Sequence, residues 1–160
     1  MPGIGLALAG TTLVGQAIGA GDHGWAERLG NRVIAIVACY MGGIGIVIAL
    51  VGDWLVPLFV NTADPRAAEV IALCSSLLWL AAAYQFFDGV NFASAFCLRG
   101  AGDARVPALI VLACGTLVFL PLTHFLTFAP GQGWFAGVPG LGLGATGGWS
   151  AILVYVLLIG

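Results

Sequence analysis

The chain has 160 residues, 61% hydrophobic and only 8% charged, with seven acidic residues and five arginines. Soluble domains carry about 25% charged residues. So few charges cannot cover a soluble surface of this length, and lipid must solvate most of it. A net charge of −2 without a basic patch argues against nucleic acid as a partner.

Five apolar runs follow in chain order: 3–20, 33–51 with an amphipathic extension 54–60, 67–98, 106–128 and 141–159. A spanning helix needs about 20 apolar residues. The last four runs meet that length, and the first is marginal, as if it began partway through a helix. Period-2 alternation is absent and the runs are too long for strands. The expected fold is an all-α membrane protein, one membrane domain over residues 1–160, with about five transmembrane helices in a polytopic bundle. Residues 1–20 have no charged leading region, so they read as membrane helix and not as a signal peptide.

The punctuation is regular. "GAGD" occurs twice, at Gly19–Asp22 and Gly100–Asp103, each time between two apolar runs. Both read as tight structural turns, with Gly supplying unusual backbone angles and Asp22 and Asp103 capping the next helix. "NTADPR", residues 61–66, closes the second run, and its Asp64–Pro65 step can open the third helix. The loop 129–140, "APGQGWFAGVPG", is uncharged. The loops after the first and third runs hold Arg28, Arg32, Arg99 and Arg105, and those after the second and fourth hold only Arg66. The positive-inside rule then places both GAGD turns in the cytoplasm, Met1 outside and Gly160 inside. A chain that starts outside, partway through a helix, is expected to be a piece of something longer. Gly140, Gly144 and Gly148, and likewise Gly15 and Gly19, have the four-residue spacing that suits close helix packing.

Most chemical motifs are absent or misplaced. "GLGATG", Gly142–Gly147, fits G-x-G-x-x-G, but it enters a membrane helix and lacks the strand that a dinucleotide site needs. Cys39, Cys74, Cys97 and Cys114 sit singly in apolar runs, as small buried thiols do. His23 and His124 stand near helix ends and read as interface residues, with a proton path as the lesser reading for His124. No nucleophile–base or metal set is visible, so an enzyme is the weakest reading.

Asp88 stands apart. Between Glu69 and Arg99 it is the only charged residue. It precedes Arg99, at the membrane interface, by 11 residues. At ~1.5 Å per residue that is about 16 Å, half of a hydrocarbon layer roughly 30 Å thick. A charge at that depth costs at least about 2.5–3.5 kcal/mol on insertion scales, so it must face protein or a wet cavity. Tyr84 at i−4, Asn91 at i+3 and Phe92 at i+4 share its helix face, with Gln85 beside them. Phe86 and Phe87 point elsewhere, and Gly89 lowers local stiffness. A desolvated carboxylate beside a phenol and amides suits exchange of a proton or a sodium ion. Aromatic rings near it suit an organic cation. The structural alternative is a protonated Asp88 acting as interhelical glue.

"YQFFDGVNFASAFCLRGAGDARVP" (84–107), with "LVGQAIGAGD" (13–22) and the tail "GLGLGATGGWSAI" (140–152), resembles the multidrug and toxic compound extrusion (MATE) family over essentially the whole chain. The resemblance implies helices eight to twelve of a twelve-helix transporter with two six-helix lobes. It implies export of cationic organic compounds in exchange for sodium or protons, with no other cofactor. Asp88 and Tyr84 match the aspartate and tyrosine of the tenth helix in the sodium-coupled branch. The first lobe and the family's seventh-helix carboxylate would then lie outside this chain. The location implied is a bacterial-type inner membrane. A lipid-linked oligosaccharide flippase of the same architecture, or a truncated chain that does not transport, are the alternatives.

Overall fold

The computed structural model describes residues 2–60, 65–133, 137 and 140–160. Asp64, most of the 61–66 turn and part of the uncharged loop lie outside the described residues. Everything regular among the described residues is helical.

Helix α1 runs Pro2–Gly19, α2 His23–Phe59 and α3 Ala67–Gly100. Helix α4, Arg105–Cys114, continues through a π-helical segment, Gly115–Phe119, into α5, Leu120–Thr127. Helix α6 is Gly144–Ile159. Three helical runs are long and apolar enough to cross a membrane: His23–Phe59, Ala67–Gly100 and Arg105–Thr127. Helices α1 and α6 are apolar but shorter. The protein is an all-α membrane helix bundle, and its outer surface fits lipid: Leu50, Trp54, Phe59, Leu109 and Leu117 are all exposed.

The two GAGD turns are built alike. In the first, the Gly21 N–H donates to Ile18 O and the Asp22 N–H to Ala17 O, at 2.9 and 3.1 Å. In the second, the Gly102 N–H donates to Arg99 O and the Asp103 N–H to Leu98 O, at 3.0 and 2.9 Å. This is the paired closure of a Schellman helix end, which needs a left-handed residue. Gly21 and Gly102 supply it, with φ of 79° and 90°. The aspartates then start the next helices. The Asp22 carboxylate accepts the Trp25 N–H at 2.8 Å, and Asp103 accepts the N–H groups of Arg105 and Val106 at 3.1 Å. Because these turns are so short, the arginines expected in loops lie on the helix ends. Arg28 and Arg32 are on α2, Arg99 closes α3 and Arg105 opens α4.

Several boundaries differ from the sequence pattern, each for a local reason. The second run and its amphipathic extension form one helix of 37 residues. Pro57 falls in its last turn, where it removes one i→i−4 hydrogen bond and the helix ends two residues later. Helix α6 starts at Gly144 and not at 141, because the N–H groups of Leu141, Gly142 and Leu143 bond back to carbonyls of Phe125, Phe128 and Leu126. The π-helical segment was not foreseen. The ring of Pro121 opposes the carbonyl of Leu117 and removes an N–H. The backbone widens just before it, and the Leu120 N–H donates to Gly115 O. The Thr116 hydroxyl bonds back to Leu112 O in the same stretch.

Packing rests on small residues. Helix α3 lies along α2, and α1 fills the groove between them. A Cβ on Gly45 would sit 3.0 Å from the Cα of Ala82, and one on Gly89 3.0 Å from the Cα of Ala38. Gly89 is therefore a point of close helix approach, where the sequence had suggested local softness. At the turn end, Val14, Ala17, Ala26 and Cys97 form a buried cluster. The Thr11 hydroxyl donates to Phe96 O at 2.9 Å and ties α1 to α3. The Gly140, Gly144, Gly148 series does not pack as one stripe. A Cβ on Gly140 or Gly147 would overlap carbonyl oxygens of Phe128 and Leu126, whereas Gly144 is open and has a φ of 58°. Gly15 approaches Gly100, but Gly19 is open.

Candidate functional site

The middle of α3 positions the site. One helical turn separates Tyr84 from Asp88, and the Tyr84 hydroxyl hydrogen-bonds the Asp88 carboxylate. Both side chains are half-buried. They face a cavity of about 420 Å³ between α1, α2 and α3. Gln85 and Phe92 line the same cavity, so the structure brings four of the five residues singled out on this face to one place. Asn91 is not among the lining residues. Its backbone lies towards α6, 3.7 Å from where a Cβ on Gly160 would be.

The opposite walls come from α1 and α2. Gly3 and Ile4 close one side, and Tyr40, Met41 and Ile44 the other. The cavity is thus mainly apolar, with aromatic rings from Tyr40, Tyr84 and Phe92 and one formal charge, Asp88. No basic side chain lines it. Four lining side chains carry oxygen that a cation could use: the Asp88 carboxylate, the Tyr84 and Tyr40 hydroxyls and the Gln85 amide. Sodium takes hard oxygen donors of these kinds, and the same carboxylate can carry a proton. Among the described residues no group of three His, Cys, Asp or Glu side chains is arranged to hold a metal ion.

Sequence reasoning missed part of this neighbourhood. Trp149 of α6 meets Tyr84 edge-on, with ring centroids 6.5 Å apart. Tyr155 of α6 lies within electrostatic range of both Tyr84 and Asp88. Tyr40 and Met41 sit on α2 in a long apolar run, where no periodicity marks them. Phe86 and Phe87 turn to the other side of the α2–α3 pair, as expected, and line a separate apolar cavity with Trp79 and Cys39.

The remaining sequence candidates lie elsewhere. Gly19, Asp22, Gly100, Asp103 and Arg105 build the two turns. The Arg99 guanidinium stands 5.1 Å from the centroid of the Phe96 ring, and Arg28 stands 5.8 Å from that of Trp25. His124 packs against Phe128 with centroids 5.2 Å apart, away from Asp88.

Comparison with known proteins gives a consistent result. The MatE family model matches residues 1–125. A probable multidrug resistance protein NorM of Agrobacterium fabrum is 36% identical over 146 residues, covering 89% of this chain and 31% of its own length. That of Mesorhizobium japonicum is 36% identical over 154 residues, covering 96% and 32%. That of Pseudomonas aeruginosa is 35% identical over 148 residues, covering 90% and 30%. The chain therefore spans about a third of the length of these curated relatives. No solved structure matches it.

Proposed function

We propose, from the premise that this chain belongs to the MatE family, that it forms part of a cation-coupled antiporter exporting cationic organic compounds. It is a transporter segment and not an enzyme. One observation carries the reading: the Asp88 carboxylate, hydrogen-bonded by Tyr84, faces an aromatic-walled cavity with no basic residue in it. An organic cation gains there from charge and from ring faces. The relatives' printed name, multidrug resistance protein, supports the same class.

Asp88 serves one ligand at a time. A sodium ion or proton arriving from outside takes the carboxylate, and the organic cation leaves. Release of the coupling ion to the cytoplasm resets the site. Each charge carried inward across 100 mV contributes about 2.3 kcal/mol. Sodium would be held by Asp88, Tyr84 and Gln85. In this reading the protein sits in a bacterial-type inner membrane with both GAGD turns cytoplasmic, as part of a two-lobe, twelve-helix transporter whose first lobe completes the pathway. A flippase handling pyrophosphate-linked lipid would want basic side chains in the cavity, and the lining has none.

The test is Asp88→Asn in the protein as expressed in membranes. The variant should lose cation-driven efflux of a fluorescent organic cation while its expression is unchanged. Normal efflux by the variant overturns the role given to Asp88.

A further inference from the structure

Helix α6 runs beside the site without lining the cavity, and it frames Tyr155. Six residues before Tyr155, Trp149 packs on Tyr84. Five residues after it, Gly160 lies against backbone atoms of Phe87 and Asn91. Tyr155 is therefore level with Asp88 along α3. Its ring stacks obliquely on Phe119, with centroids 5.3 Å apart. A Cβ on Gly115 would lie 4.0 Å from the Tyr155 hydroxyl. Gly115 and Phe119 are the first and last residues of the π-helical segment. The widened backbone and the missing side chain at Gly115 thus make the seat in which the phenol lies. Cys114, just before that seat, is within electrostatic range of the same phenol.

Widened helical turns recur at functional sites because they re-aim side chains and can shift register cheaply. Here the widened turn touches the one phenol on α6, at the depth of the carboxylate on α3. We propose that Tyr155 is a positioning residue for the Asp88–Tyr84 pair, and that through it the occupancy of Asp88 is felt by the π-helical segment Gly115–Phe119. The inference rests on the reading of Asp88 as the coupling carboxylate.

Two measurements on the membrane-expressed protein test it. The first is efflux by Tyr155→Phe, which keeps the ring and removes the hydroxyl. The concentration of coupling cation giving half-maximal rate should rise about fivefold on loss of the phenol dipole near the carboxylate, with a smaller change, within about twofold, in the KM for the organic cation, which ring faces also hold. An unchanged cation dependence overturns the inference. So does an equal loss in both quantities, which marks a merely structural role. The second keeps Tyr155. With Cys39, Cys74 and Cys97 replaced by serine, the rate of maleimide labelling at Cys114 should change when sodium is added or the pH is lowered. The change should vanish in Asp88→Asn. A labelling rate indifferent to both cations overturns the inference even if Tyr155→Phe fails to express. Normal efflux by Asp88→Asn would instead remove the underlying reading, so the two failures are distinguishable.

Discussion

Gly100 lies directly on the backbone of Thr11: a Cβ on Gly100 would sit 3.0 Å from the Thr11 Cα and overlap its carbonyl oxygen. Gly19 holds the same place in the other GAGD turn and has open space around it. One motif thus contains a glycine kept for packing at one copy and not at the other. Gly100→Ala must push α1 from α3 and should cost about 1–3 kcal/mol, as overpacking does. Gly19→Ala should be neutral or stabilising by up to about 1 kcal/mol. Thermal unfolding of the two purified variants in detergent checks this, with a lowered Tm expected only for Gly100→Ala.

The aspartates of the two turns should behave alike. Each accepts first-turn N–H groups of the following helix. Asp22→Ala and Asp103→Ala should each cost about 1 kcal/mol, and the Asn variants much less, since Asn also caps. Hydrogen exchange at residues 23–26 and 105–108 reads the effect directly, with faster exchange confined to the helix start whose cap was removed.

Tyr84 has two partners that substitutions can separate. Its hydroxyl bonds Asp88 and its ring meets Trp149. Tyr84→Phe should weaken coupling-cation dependence about fivefold, the value of one hydrogen bond, and leave the α3–α6 contact in place. Tyr84→Ala should also lower thermal stability by about 2–4 kcal/mol through the lost aromatic packing. Cation titration of efflux, together with the Tm in detergent, separates the two losses.

Pro121 explains the widened turn, which gives a structural prediction. Pro121→Ala restores an N–H and removes the ring opposing the Leu117 carbonyl. The segment 115–119 should then relax towards ordinary α geometry and turn Cys114 relative to α6. The maleimide labelling rate of Cys114 should change in this variant while the labelling of Cys39 does not.

How much of this was legible in the sequence varies by residue. The turns were readable because Gly and Asp each have one strong local use, a left-handed helix end and a cap. Asp88 was readable because a charge at mid-membrane depth has few tolerable explanations. Tyr84, Gln85 and Phe92 followed from helical spacing. Asn91 did not join them: its spacing from Asp88 fits the same face, but α6 packs along that edge of α3. No single-helix pattern reveals a neighbour arriving 60 residues later. Tyr155 and Trp149 were hidden for the same reason. The π-helical segment needed the clash at Pro121 to be weighed against a helix with nowhere to end. Gly89 was misjudged because flexibility and close approach draw on the same missing side chain, and only the position of Ala38 decides between them.

Helices α1 and α2 are joined by three residues, 20–22, and α3 and α4 by four, 101–104. At the other end the links are seven residues, 60–66, and sixteen, 128–143. The two closed GAGD turns therefore lie at one end of the helices and the longer links at the other. Each short link is closed by its own hydrogen bonds and holds its two helices at a fixed separation. Splaying of α1 from α2, or of α3 from α4, is therefore most restricted at the GAGD end, as blades are at a hinge. The Asp88 cavity is walled by Gly3 and Ile4 of α1 and Tyr40 and Met41 of α2, far from those turns, so a small rotation there is levered into a larger displacement of its walls.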